Sequence, residues 1–187
     1  MDTFLAPVEK PPSFGMRIAY WMSRRQFGKV LTPIKVISAR LPASFGMFAG
    51  KISKLTLPRE TMMLVRERVA RINVCEFCMD IGRSFIVKES MNEAKFDALE
   101  DYKTSPLFNE AERALLDYVT ELTRDKKVNP ETFARLARHY TERECCEVSW
   151  VVASEHFYNL TNISMNIHSD MLCDISKKKK AAAASHA

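Results

Sequence analysis

An all-α, single-domain fold is predicted by three features of the sequence: few helix breakers, apolar residues spaced three and four apart, and repeated helix-start signatures. Five glycines occur in 187 residues and four of them fall within the first 50, so the remainder has few points where a helix must stop. With 47% hydrophobic residues the chain can bury one sizeable core, and its length does not call for a second domain.

Taken in order, residues 1–13 carry Pro7, Pro11 and Pro12 and read as an extended arm. From Phe14 to about Gly50, apolar and basic residues alternate irregularly and are cut at Pro33, Pro42 and Gly46, which predicts two or three short helices. These first 50 residues are expected to pack on a helical domain spanning 51–176. Within it, Pro58 suits a first helical turn, and Met62, Val65, Val69 and Ile72 then recur on one face, predicting a helix over 58–73. Cys78, Ile81, Phe85 and Ile86 form the apolar face of the next helix, ending near Lys88. Capping-box patterns at Ser90–Glu93, Asn109–Glu112 and Thr141–Glu144 announce three more starts, the last opening a long final helix, and Asn129-Pro130 opens a short one between. Residues 177–187 read as a disordered basic tail.

The net charge of +5 is unevenly placed: the first 50 residues carry +5, Lys177–Lys180 carry +4, and the body between is at −4. Basic ends without interleaved aromatics or a recognition motif do not make a nucleic-acid surface, so none is expected. No apolar run approaches the roughly 18 residues of a membrane span, and no membrane association is expected. Ser23-Arg24-Arg25-Gln26-Phe27-Gly28-Lys29 has the outline of a twin-arginine export signal, but Pro33, Lys35 and Arg40 interrupt the stretch after it, so a basic helix face is the simpler reading. Five cysteines and no apolar leader suit a reducing compartment, and the cytoplasm is the expected location.

The chemistry-bearing motif is Cys75-Glu76-Phe77-Cys78. Two cysteines with this spacing at a helix start can close a disulfide within one turn, and the helix N-terminus favours the thiolate, the species that attacks a peroxide or disulfide. The same spacing serves as half of a zinc site, but Cys145, Cys146, Cys173, His139, His156 and His168 offer no second CxxC or HxxxH, and neither metal nor cofactor is expected.

The run Leu64-Val65-Arg66-Glu67-Arg68-Val69-Ala70-Arg71-Ile72-Asn73-Val74-Cys75-Glu76-Phe77-Cys78-Met79-Asp80-Ile81 resembles the signature of the carboxymuconolactone decarboxylase and alkylhydroperoxidase D superfamily. Glu112–Tyr118, Phe133–Tyr140 and Phe157–Leu160 resemble its second half, so the likeness spans about residues 55–172. It implies an alkylhydroperoxidase D-like helical bundle, usually trimeric or hexameric. Apolar faces of short helices rich in methionine and aromatics point to a homo-oligomer as well. The resemblance further implies that Cys78 attacks the peroxide, Cys75 resolves the sulfenic acid, and a glutamate and a histidine relay the proton. The relay positions are Met63 and Gly82 here, so any peroxidase rate is expected to be weak.

Substitute bases are therefore of interest. Val148, Val152, His156 and Leu160 recur every fourth residue, placing His156 on an apolar stripe as the candidate replacement base. Glu67, one turn after Met63, is expected on a charged, solvated face with Arg66, Arg68 and Arg71, with a base pointing toward the cysteine pair as the alternative. Glu155, Asn159, Asn162 and Asn166 form a polar stripe, expected in solvent, with a pocket lining or a subunit interface as the alternatives. Gly82 costs about 1 kcal/mol in a helix interior relative to alanine; it implies either close helix packing or space opened beside Cys78. The function expected is a thiol-dependent oxidoreductase acting on a peroxide or disulfide with a thiol electron donor. The alternatives are a non-catalytic oligomeric scaffold and a lactone decarboxylase or isomerase.

Overall fold

Residues 58–73 hold the central place because this helix buries Met63, Leu64, Val65, Val69 and Ala70 together with the charged Glu67 and Arg68, so that partners must meet it on several sides. The computed structural model describes residues 3–42, 44–45 and 55–185. Its helices are α1 (Phe14–Phe27), α2 (Arg59–Ile72), α3 (Glu76–Lys88), α4 (Glu93–Asp97), α5 (Glu110–Asp125), α6 (Pro130–Leu136), α7 (Glu142–Ile163) and α8 (Leu172–Ala184). A π-helical segment at Ile34–Ser38 and a 3₁₀ turn at Ala98–Asp101 join them, and there is no strand among the described residues. The all-α single-domain expectation holds. None of the described helices is long and apolar enough to cross a membrane.

α2 packs against α3, α5 and α7 and supplies residues to three core clusters. Ala70 joins the cluster of α1 and the cysteine pair, Val65 and Val69 join that of α5 and α7, and Met63 and Leu64 join that of α4 and α5. Met63 is thus core filling. The predicted capping boxes at Asn109 and Thr141 are both present, each cap accepting from the backbone N–H three residues on while that glutamate reaches back.

Two predicted signals resolve differently. Ser90 is not the cap of α4: it lies in the left-handed region at φ 53°, closing the end of α3, and Asn92 caps α4 by accepting from Lys95 N–H. The basic stretch Lys177–Lys180, read as a disordered tail, instead continues α8 to Ala184. Lysine and alanine are good helix formers, and α8 has a surface to pack on. α3 and α8 lie side by side, with Ser84 Oγ 2.8 Å from Ser176 Oγ and Lys180 Nζ donating to the Val87 carbonyl at 3.3 Å. The start of α8 has no cap of its own. Asp80 of α3 supplies one, its carboxylate accepting from the N–H groups of Asp170, Leu172 and Cys173 at 2.8–3.1 Å.

In the N-terminal region, Gly28 ends α1 in the left-handed conformation at φ 81°, and Arg24 and Arg25 are exposed in its last turn, where cations favour the helix dipole. The expected break at Gly46 lies outside the described residues.

Candidate functional site

The turn between α2 and α3 sets the cysteine pair. α2 ends in a Schellman motif: Cys75 N–H donates to the Ala70 carbonyl at 3.0 Å and Val74 N–H to that of Arg71 at 3.1 Å. Glycine usually fills the left-handed position of this motif, yet here it is Val74, at φ 55°. A β-branched residue there is strained. Asn73, just before it, is tied down by its side-chain amide, which donates to Asn159 Oδ1 at 2.9 Å and to His156 Nδ1 at 3.1 Å.

Cys75 is the N-cap of α3, its sulfur accepting from Cys78 N–H at 3.3 Å, and Cys78 lies in the first turn. The two are joined as a disulfide with Cα atoms 5.2 Å apart, well inside the bridging range. Both are buried. Cys145, Cys146 and Cys173 are free.

Cys78 forms part of the wall of a cavity of about 350 Å³ between α1, α2, α3 and α7. Phe27, Ile34, Phe77, Ile81 and Phe85 make most of its lining apolar, and its polar edge is Arg66, Glu155 and Asn162. Asn162 Nδ2 donates to Cys78 Sγ at 3.5 Å, while its Oδ1 is buried without a partner. Arg66 Nε donates to Glu155 Oε2 at 2.8 Å, and Glu155 Oε1 accepts from Asn159 Nδ2 at 2.7 Å. The α7 stripe expected in solvent is therefore buried at Glu155, Asn159 and Asn162, because α7 turns this face toward α2 and the cysteine turn. Asn166 lies beyond the end of the helix.

Glu67 overturns its expectation most sharply. It is 1% exposed, since three neighbouring helices cover this stretch of α2 on more than one side. Its carboxyl also occupies the space that Gly82 leaves: a Cβ built on residue 82 would overlap Glu67 Oε1 and lie 3.0 Å from Cδ. Gly82 thus reflects close packing, not space opened for a ligand. Glu67 Oε2 has no hydrogen-bond partner, and its nearest cation is Arg71 Nε at 3.8 Å. Burial pushes the carboxyl up, Arg71 and Arg83 pull it back in part, and it settles at about 8.

His156 stands elsewhere. It is bonded to Asn73, is absent from the cavity wall, and its Nε2 is buried without a partner. Burial, with Lys126 adding to it, lowers its pKa. Its apolar stripe is continuous only through Val148 and Val152, since Leu160 faces solvent. Glu76 is engaged with His168, Nδ1 to Oε2 2.8 Å. No group of three or more His, Cys, Asp or Glu side chains able to hold a metal occurs among the described residues. Sequence reasoning named the two cysteines and weighed Glu67 as a base, but placed it in solvent; the available signal for its burial was Gly82, a helix-interior glycine requiring something to fill its place.

No protein-family model matches the chain. It is 31% identical over 185 residues to the uncharacterized protein YnjA of Escherichia coli (strain K12), covering 94% of this chain and 98% of that one. It is 25% identical over 112 residues to the uncharacterized protein YdfG of Bacillus subtilis (strain 168), 59% of this chain and 76% of that one. Among solved structures, the debrominase Bmp8, as a cysteine-to-alanine variant in complex with 2,3,4-tribromopyrrole, superposes with a TM-score of 0.79 at 20% identity, covering 96% of this chain and 98% of that one. The alkylhydroperoxidase AhpD core of an uncharacterized peroxidase-related protein from Ralstonia eutropha JMP134 gives 0.77 at 16% identity, covering 91% and 95%. At such identities the structural likeness speaks for the fold, and the match to YnjA over nearly the whole of both chains speaks for kinship. The chain therefore belongs to the same family as YnjA, built on the alkylhydroperoxidase D-like fold.

Proposed function

We propose that the protein is a thiol-dependent oxidoreductase that reduces an organic peroxide or disulfide with an apolar body. The observation that carries this is a disulfide-competent pair at a helix N-terminus with its second sulfur on the wall of an apolar cavity. The cavity's volume is within the range of small-molecule sites, and its apolar lining favours an organic substrate over a small hydrophilic oxidant. In the peroxide case the Cys78 thiolate attacks the terminal oxygen, the O–O bond breaks, and the alkoxide leaves as alcohol after taking a proton. The Cys75 thiol then displaces water from the Cys78 sulfenic acid, closing the disulfide, which an external thiol donor reopens. The helix N-terminus and the Asn162 amide both favour the Cys78 thiolate. His156 reaches the pair through Asn73 and positions the turn. Exposed apolar side chains on α1 and α7, among them Phe14, Trp21, Trp150 and Leu160, support a homo-oligomer, and the free thiols suit the cytoplasm.

The test is a thiol count on fully reduced protein before and after one equivalent of cumene hydroperoxide, a dialkyl disulfide or, because Bmp8 shares the fold, a brominated pyrrole. Loss of two thiols confined to the peptide bearing Cys75 and Cys78, with turnover when dithiothreitol is added, is the expected result. A pair inert to the whole panel overturns the reading in favour of a binding or scaffold protein.

A further inference from the structure

A helix-interior glycine, a buried carboxyl and a thiol come together along one face of α3. Cys78 and Gly82 are four residues apart and so face the same way, with side-chain origins about 5–6 Å apart. Glu67 Oε1 lies against the place where the Cβ of residue 82 would be, which puts the carboxyl on the face of α3 that Cys78 shares, one helical turn from it and within reach of a proton passed through a bridging water. Glu67 Oε2 accepts no hydrogen bond, whereas buried carboxylates that serve only structure have their lone pairs filled.

We propose that Glu67 is the proton-exchange partner of Cys78, standing in for the absent relay at Met63 and Gly82. The inference rests on the thiol-redox reading above and extends it. As Cys78 ionises, the Glu67 carboxylate takes the thiol proton, leaving Cys78 thiolate and Glu67 carboxylic acid. When the thiolate breaks the O–O bond, the acid returns that proton to the departing alkoxide, giving alcohol, Cys78 sulfenic acid and the carboxylate again. Atoms and charge balance with no further co-reactant until the external thiol reopens the disulfide. The groups facing Glu67 are Arg66 and Arg71 from α2, Arg83 from α3 and Glu155 from α7. Burial, which pushes the carboxyl up with help from Glu155, outweighs the three arginines that pull it down, and it ends at about 8, near a free thiol's own value of about 8.5, so a proton moves between the two at little cost.

The direct readout is the reduced-minus-oxidised infrared difference spectrum at pH 7, driven with dithiothreitol, in wild type, Glu67→Gln and Glu67→Asp. A protonated-carboxyl band that changes with redox state in wild type, disappears in Glu67→Gln and shifts in Glu67→Asp is expected. Single-turnover oxidation of the reduced protein by cumene hydroperoxide should fall about 100-fold in Glu67→Gln. Iodoacetamide alkylation of Cys78 should be unchanged or faster, because a like charge near the thiolate is gone. A packing role alone would not separate these two rates. No redox-linked carboxyl band, a band that survives Glu67→Gln, or oxidation of both proteins at the same measurable rate would overturn the proposal. If the band behaves as expected while peroxide oxidises neither protein, the substrate reading fails and the proton partnership stands.

Discussion

Two buried glutamates on neighbouring helices meet opposite fates. Glu147, in the first half of α7, accepts from the N–H groups of Thr56 and Leu57 at 2.7 and 3.0 Å, from the Thr56 hydroxyl and from Arg143 Nε at 2.9 Å. Burial pushes its carboxyl up, but the Leu57, Arg143 and Thr56 bonds outweigh that and hold it below the ordinary range. It ties the segment before α2 to α7. Glu67, on α2, has one oxygen pressed against Gly82 and the other without a hydrogen bond, and rises to about 8. The same side chain is a structural anchor where its acceptors are filled and a proton-exchanging group where they are not. Departures from local rules cluster around Glu67: a cysteine as N-cap, a valine at a left-handed position, a glycine inside a helix, and an Asn162 oxygen with no partner. At the starts of α5 and α7, where no chemistry is proposed, the rules are followed.

The largest effect that tests this contrast is the coupling between residues 67 and 82. Alanine at 82 gains about 1 kcal/mol of helix propensity but drives its Cβ into Glu67 Oε1, so Gly82→Ala should be net destabilising by about 1–3 kcal/mol. In a Glu67→Ala background the same change should become stabilising. A double-mutant cycle by denaturant unfolding should give a coupling near 3 kcal/mol, and additivity would mean that the two residues do not share that space. Restoring the family relay consequently takes more than Met63→Glu with Gly82→His, since a histidine at 82 also needs Glu67 removed.

Next in size, Glu147→Gln should lower the melting temperature at pH 7 by roughly 5 °C as the N–H groups of Thr56 and Leu57 lose a charged acceptor, while Glu67→Gln leaves it unchanged or raises it. The pH dependence should differ in sign too. Below pH 4.5 Glu67 is protonated in both states; between 4.5 and about 8 the folded protein keeps a proton that the unfolded chain has lost. Its contribution therefore falls with rising pH, by at most about 1.4 kcal/mol per unit, and levels above about 8. Glu147, with a lowered value, contributes stability that is lost as pH falls through the acid range. Unfolding curves from pH 5 to 9 should be flatter in Glu67→Gln than in wild type, and identical slopes would contradict the raised carboxyl.

Much of the scaffold was legible in the sequence because capping and apolar spacing are local signals. Asn109 and Thr141 capped as their motifs predicted, Pro58 and Pro130 stand at helix starts, and the cysteines fall in the first turn of α3. The polar half of the site was not legible. Glu67, Glu155, Asn159 and Asn162 are residue types that usually face water, and only the packing of α7 across α2, with α3 at Gly82 covering Glu67, buries them. Lys177–Lys180 misled for the complementary reason: a charged run reads as solvated, yet α3 offers α8 a cap at Asp80 and a packing face. Val74 carried no local sign of its left-handed backbone. It is 71% exposed, so Val74→Gly forfeits little packing and should stabilise the fold by about 1 kcal/mol, the smallest effect in the series. No gain would mean that the turn is not strained.

The most direct test of the central claim, that Cys78 is the thiol that meets the substrate, is chemical trapping in Cys75→Ser, where the sulfenic acid has no resolving partner. Reduced protein is treated with one equivalent of cumene hydroperoxide and a dimedone probe, and the labelled peptide is read by mass spectrometry. One label per chain on Cys78, with Cys145, Cys146 and Cys173 unlabelled, is the predicted result. A label on any of those three in preference to Cys78, or none at all, would contradict it.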